Sequence, residues 1–315
     1  MVVEKIKIGV SACLLGKEVR FNAQHKYHWY INEILGKYFD YVPICPEVAI
    51  GMGVPRKSVR LVGHSDSPEM IEPISGKNWT EKMVSYSEKK VKNFGDLSGF
   101  LFKRASPTCG VFRVKVYQKN GIPLPEGMGL FSQKVSQEWP LLPIEEEGRL
   151  NDTMLRENFL ERVFGYQRIR KLMEKKFQRK DWIDFHTQNK FLLLAHSRKY
   201  YTELGHLVSA IEKKSPMDFK QEYSVLYMEA LAVQTTRKKH GDVLLHILGF
   251  LKKILTKEQK EDILKAIKNY TESVYPLIVP MTLLNHYITL NKIDYIQKQI
   301  YLCPTPEDLC LRNHT

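Results

Sequence analysis

The sequence has no apolar run approaching the roughly 20 residues that a membrane-crossing helix requires, so no transmembrane helix is expected. It also has no internal repeat, no low-complexity tract and no Cys-x-x-Cys pair. Cysteine is scarce: five residues in 315, an odd number with no close pair in the first two thirds of the chain. That scarcity excludes a disulfide framework and suits a reducing compartment. Met1 to Val10 mixes charged and aliphatic residues instead of presenting a basic region before a long apolar core, so a secretory leader is not expected and the cytoplasm is the default location. Acidic residues are in deficit, 35 against 48 Lys and Arg, which leaves a formal charge of +13. Up to Leu150 there are 21 basic and 16 acidic residues, an excess of +5; after it there are 27 and 19, an excess of +8. A basic surface draws polyanions, which makes nucleic acid a candidate partner beside the plain alternative of a lysine-rich solvated face.

A chain of this length is comfortable as two domains. Its first half alternates short β-branched runs, Gly/Pro-rich loops and amphipathic stretches, the pattern of an α/β domain with a mostly parallel, Rossmann-like sheet. The pattern predicts strands at Lys5 to Val10, Tyr41 to Ile44, Ser58 to Val62, Gly99 to Lys103 and Arg113 to Tyr117, and helices at His28 to Tyr38, Thr80 to Asn93 and Gly129 to Glu138. Pro140 to Asn151, with two prolines, three consecutive glutamates and a glycine, reads as a linker or a domain-edge turn. The boundary is placed there, giving domains 1–145 and 146–315. Beyond it, helical periodicity over Leu155 to Lys176, Asp218 to Thr236, Val243 to Leu255 and Lys257 to Tyr270 predicts an all-α domain, with helix starts at Asp242 and at a Thr256/Gln259 capping box.

Cys13, Cys45 and Cys109 each follow a predicted strand. In an open parallel sheet, ligands gather beyond the carboxyl ends of the strands, so residues distant in sequence meet there. Three thiolates in such a cleft suit zinc or an iron-sulfur cluster; zinc with three thiolates generally recruits a histidine, whereas a 4Fe-4S cluster can keep one iron open. The plain alternative for any one of them is a small buried apolar residue.

Three motifs, Ser11-Ala12-Cys13-Leu14-Leu15-Gly16, Cys45-Pro46-Glu47-Val48 and Ser106-Pro107-Thr108-Cys109-Gly110, resemble in order and separation those of the thiouracil desulfidase family. The resemblance implies a 4Fe-4S cluster bound by Cys13, Cys45 and Cys109 with one open iron, and catalytic roles for Glu47 and Ser106. The chain departs from the family at Arg20-Phe21-Asn22-Ala23, where many members read Arg-Tyr-Asp-Gly. Ala195-His196-Ser197, Thr236-Arg237-Lys238-Lys239-His240, His246-Ile247-Leu248-Gly249-Phe250, Pro276-Leu277-Ile278-Val279-Pro280 and Leu302-Cys303-Pro304 are similar to the YbgA-type helical domain. That domain behind a desulfidase domain is the architecture of tRNA 4-thiouridine desulfidases, so the combined resemblance implies conversion of 4-thiouridine in tRNA to uridine by a non-redox, hydrolytic reaction.

Gripping tRNA requires cations. Arg237, Lys238 and Lys239, with Lys252 and Lys253 three to four helical turns on, form one candidate handle. Arg198-Lys199-Tyr200-Tyr201, where cations and aromatics mix, forms another. For each run the alternative is a solvated helix face. Cys303 and Cys310 have no partner motif and are not assigned to the cluster. Two rival functions remain at this level: the same chemistry on free thiouracil or a thiolated nucleotide, and a noncatalytic iron-sulfur sensor that binds nucleic acid. The sequence names no acceptor for the sulfur and no oligomeric state.

Overall fold

A computed structural model describes residues 5–118, 120–309 and 311–313. The chain divides into two compact units, Met1–Asp152 and Thr153–Thr315.

In the first unit, β1 (Ile6–Ser11), β2 (Phe39–Ile44), α1 (Pro46–Ala49), β3 (Arg60–Val62), β4 (Glu69–Ile71), α2 (Thr80–Val91), β5 (Phe100–Phe102), β6 (Val114–Tyr117), β7 (Pro123–Gly127), α3 (Leu130–Glu138) and β8 (Ile144–Glu146) follow one another along the chain. The strands make two sheets of four. The first has the order β2-β1-β5-β8, and every pairing in it is parallel. The expected α/β unit with a mostly parallel sheet is therefore present. The second sheet, β4-β3-β6-β7, is mixed, with only β3 and β6 parallel.

The central strand β1 is buried along nearly its whole length, as both faces of a parallel sheet are covered. Gly9 sits where β1 meets the Phe100 ring, and a Cβ there would stand 2.2 Å from a ring carbon. Phe100 stacks on Phe102 at 4.0 Å between centroids, and Phe131 from α3 meets both edge-on. Residues Tyr30–Ile34 and Leu35–Lys37, expected as a plain α-helix, form a π turn followed by a 3-10 turn. The Asn32 amide donates to the Leu14 and His28 carbonyls there, holding the turn to the loop after β1.

The segment expected to be a linker is structural. Ile144–Glu146 extends the parallel sheet beside β5, and Glu147–Asn151 forms a 3-10 turn. The division between the units accordingly falls after Asp152, later than the boundary drawn after residue 145.

The second unit is helical: α4 (Thr153–Glu174), α5 (Arg179–His196), α6 (Arg198–Ser209), α7 (Pro216–Ala232), α8 (Arg237–Leu251), α9 (Lys257–Thr271), α10 (Ile278–Leu290) and α11 (Asp294–Gln297), with no strand among its described residues. The capping box at Thr256 and Gln259 is formed. The start expected at Asp242 is not; α8 begins earlier, with Thr236 as its cap, because the Thr236 hydroxyl accepts the Lys239 N–H. A column of Trp182, Phe219, Tyr223 and Tyr227 fills part of the interior. No described helix is long and apolar enough to cross a membrane.

Candidate active site

Strands β2, β1 and β5 are neighbours and parallel, so their carboxyl ends open at the same edge of the sheet. Cys13 lies in the 3-10 turn directly after β1, and Cys45 is the residue between β2 and α1. Cys109 departs from expectation: it lies seven residues beyond the last residue of β5, Phe102, on a loop that returns to the strand ends. All three line one cavity of about 260 Å³, together with Glu47 and Ser106. The cavity is also walled by Ser11, Arg20, Phe21, Arg56, Lys103 and Arg104, none of which was singled out for the site from the sequence.

The return of the Cys109 loop has identifiable causes. The Ser106 hydroxyl oxygen accepts the Thr108 and Cys109 N–H groups at 3.2 and 3.1 Å, which folds Ser106–Cys109 into a tight turn. Gly110 donates to the Ser106 carbonyl at 2.9 Å. The loop then lies against Gly129, where a Cβ would come within 2.4 Å of the Thr108 carbonyl. Farther on, Glu146 Oε1 accepts the N–H groups of Val111 and Phe112 at 2.7 and 3.1 Å. Glu147 accepts the Arg104 N–H at 2.6 Å and pairs with the Lys103 ammonium. Glu145, Glu146 and Glu147 are all buried. Two of three consecutive carboxylates that resemble a solvated spacer in sequence, Glu146 and Glu147, thus brace the Cys109 loop and the cavity wall, while Glu145 accepts from Arg149.

Glu47 does not stand free. Its Oε2 accepts from Arg56 through Nε at 2.9 Å and also through Nη2. Its Oε1 accepts from the Thr108 hydroxyl at 2.8 Å. Arg56 is almost wholly covered, its side chain 5% exposed against 15% for Glu47, and its guanidinium also donates to the Val19 carbonyl at 2.9 Å. A carboxylate oxygen has two acceptor positions, so Oε1, with one donor in place, keeps one for a substrate N–H or a water. Arg56 was missed because it lies nine residues from Glu47 on a loop without a motif. The available signal was a lone arginine closing the Gly/Pro-rich run Gly51-Met52-Gly53-Val54-Pro55.

The thiols are matched to a metal and poorly matched to water. Burial pushes Cys13 up to about 11, helped by the neighbouring Cys45 thiol. Burial likewise raises Cys45, and it raises Cys109 well above the usual thiol range although a hydrogen bond to Ser11 opposes it. Each thiolate would destabilise the others, so they ionise together only when a cation compensates. The donor set fits an iron-sulfur cluster: three soft sulfurs and no histidine line the cavity. Among the described residues, no three His, Cys, Asp or Glu side chains meet closely enough to chelate a single metal ion. One ion with metal–sulfur bonds of about 2.3 Å needs its donors at one point. A cluster anchored at separate irons does not.

In the second unit the candidate handle is reduced. Arg237 donates to the Tyr270 carbonyl at 3.0 Å and lies over the Tyr270 ring. Lys239 donates to the carbonyls of His196 and Gln234 at 2.7 and 3.1 Å. Both side chains therefore bind the protein itself. Lys238, Lys252 and Lys253 are exposed. In the second run, Tyr201 stacks on His186 and Lys199 reaches Glu203. Two of the three motif histidines are interior: His196 bridges Glu161 at 3.1 Å and the Val233 carbonyl at 2.7 Å, and His240 meets the Tyr301 hydroxyl at 2.9 Å, whereas His246 is exposed. Arg312 completes this buried network with Glu161 at 3.1 Å. Cys303 is exposed, its thiol directed to the Thr305 carbonyl, and Cys310 lies outside the described residues.

Residues 8–147 match the family profile of the 2-thiouracil desulfurases. This covers the whole arrangement of thiols, carboxylate and bracing glutamates, so the similarity to that family extends over nearly all of the first unit. Residues 190–306 match a family described as a protein of unknown function, DUF1722. A curated relative, "Uncharacterized protein YbgA" of Escherichia coli strain K12, is 25% identical over 153 residues, which is 48% of this chain and 90% of that protein. A solved structure described as a 4Fe-4S-dependent thiouracil desulfidase, TudS, is 25% identical and covers 47% of this chain and 95% of that chain, with a TM-score of 0.38.

Proposed function

We propose that the chain removes sulfur from a thiolated uracil with a 4Fe-4S cluster held by Cys13, Cys45 and Cys109, and that its substrate is 4-thiouridine in tRNA. The observation that carries this reading is the gathering of three thiols, a carboxylate and a serine around one cavity, within the segment similar to 2-thiouracil desulfurases. When bound, the cluster supplies an open, thiophilic iron that acts as a Lewis acid toward a thiocarbonyl.

The protein's own groups supply the rest. Replacing sulfur by the oxygen of water converts C=S to C=O and leaves sulfide, with no change in the oxidation state of the ring carbon. Water attacking that carbon must lose a proton, and Glu47 Oε1 is the acceptor of choice, being a carboxylate oxygen with an open position in the cavity wall. Arg56 and Thr108 fix the carboxylate so that it cannot turn away. The Ser106 oxygen is engaged by loop N–H groups, but its own O–H remains to donate to the base or to position the water. The +13 charge and the exposed cations of both units supply the attraction for a polyanionic substrate.

A second reading, action on the free base, is favoured by the family description itself, which names 2-thiouracil. Anaerobically purified protein is expected to contain iron and acid-labile sulfide, and to release sulfide from thiolated tRNA faster than from free thiouracil at equal concentration. Equal or faster release from the free base would defeat the tRNA assignment, and zinc without iron would defeat the cluster.

A further inference from the structure

We infer that residues 17–29 of the first unit form a platform for single-stranded RNA at the mouth of the cavity, stacking and neutralising the nucleotides that flank the base inside it. The choice of RNA over other polyanions rests on the proposed function. The platform itself rests on what this loop exposes.

Its sequence, Lys17-Glu18-Val19-Arg20-Phe21-Asn22-Ala23-Gln24-His25-Lys26-Tyr27-His28-Trp29, interleaves cations with aromatics. The rings are not packed away: Phe21 is 43% exposed, Tyr27 45% and Trp29 61%. Trp29 is the largest side-chain type, and exposing so much of it to water without a partner is unfavourable. Lys17 and Lys26 are exposed beside them, while Arg20 lies against the Phe21 ring at 5.4 Å with both residues in the cavity wall. The loop is thus continuous with the site, running from its wall outward.

The backbone, in contrast to the side chains, is fastened down. Lys26 N–H donates to the Cys13 carbonyl at 2.8 Å and His28 N–H to the Leu14 carbonyl at 3.1 Å. Arg56 N–H donates to the Phe21 carbonyl at 2.8 Å, and its guanidinium takes the Val19 carbonyl. Exposed rings on a fixed backbone are what sequence-tolerant stacking needs: every base has a π-face, and a preorganised surface loses little entropy on binding. A base drawn into the cavity must leave its stack, and rings beside the mouth replace the stacking its neighbours lose.

The test is a titration of the full chain with a labelled short oligouridylate, followed by anisotropy. Trp29→Ala is expected to bind about tenfold more weakly, Trp29→Phe to recover most of the affinity by restoring a ring, and Lys26→Glu to weaken binding and flatten its salt dependence. Wild-type affinity in both Trp29→Ala and Lys26→Glu, or no measurable binding by the wild-type chain, overturns the platform. Sulfide release from thiolated tRNA is measured on the same proteins. Weakened RNA binding in the variants, together with a wild-type chain that never releases sulfide, would defeat the proposed reaction and leave the platform standing, whereas robust sulfide release with undiminished RNA affinity in the variants would do the reverse.

Discussion

In the proposed reaction Glu47 takes the proton from water, and its surroundings define what a substitution does. Glu47→Gln keeps the shape and the Thr108 contact but removes the proton acceptor. Sulfide release is expected to fall about 100-fold or more, with the cluster's visible absorbance retained; loss of absorbance together with activity would make Glu47 a structural residue instead. Arg56→Met leaves the mostly covered carboxylate without its cation, a change expected to cost about 3 kcal/mol of stability, read by denaturant unfolding of the anaerobic protein. At this scale the sequence was legible where a motif carried the residue: Cys13, Cys45, Cys109, Glu47 and Ser106 all reach one cavity. It was silent on Arg56 and Ser11, whose parts depend on contacts across 9 and 98 positions, to Glu47 and Cys109. A run of cations likewise does not disclose that Arg237 and Lys239 donate to carbonyls of their own unit.

Among the elements, the Cys109 loop is held by partners on both sides. Glu146→Ala strands the Val111 and Phe112 N–H groups, one buried and one partly so, at a cost of about 1–3 kcal/mol each. The variant is expected to lose iron on gel filtration faster than the wild type, and equal retention would show that the loop keeps its shape without the brace. Gly129→Ala drives a methyl into the Thr108 backbone, where no flexible side chain can yield; the expected outcome is poor iron incorporation with the second unit still folded. Several long elements were legible because burial imposes a period: β1 with its aliphatic alternation, α2, and the long helices α4 and α9, whereas α5 and α10 were not marked. Three of the short strands were not. β7 is mostly exposed and carries two prolines, so its composition is that of a turn. β4 and β8 have three residues each, too few for a period to repeat.

Over the whole molecule, charge and buried polar groups set the response to solution conditions. If tRNA is the substrate, sulfide release from it should decline steeply with added salt while release from free thiouracil stays level; parallel curves would remove the electrostatic argument. In the second unit, burial and the Arg312 charge lower His240 from 6.5 to about 3. The unfolded chain therefore takes up this proton below 6.5 while the folded unit does not, so the contribution of a neutral His240 is complete above 6.5 and is lost as the pH falls toward 3. His240→Asn should accordingly narrow its stability deficit on acidification, and a deficit that stays constant from pH 7 to about 4 would contradict this. The two-unit plan was legible from the change in periodicity, but the place of the division was not, because Glu145–Glu147 look solvated and are buried. Their position along the chain has a consequence for biosynthesis. In the proposed site, a ribosome that has released Cys13, Cys45 and Cys109 has released all three sulfur ligands, yet the loop bearing the third lacks its anchor until residues 146 and 147 emerge. Loading of the proposed cluster would thereby wait for completion of the first unit, and a nascent chain stalled shortly before that point would present thiols without a finished socket.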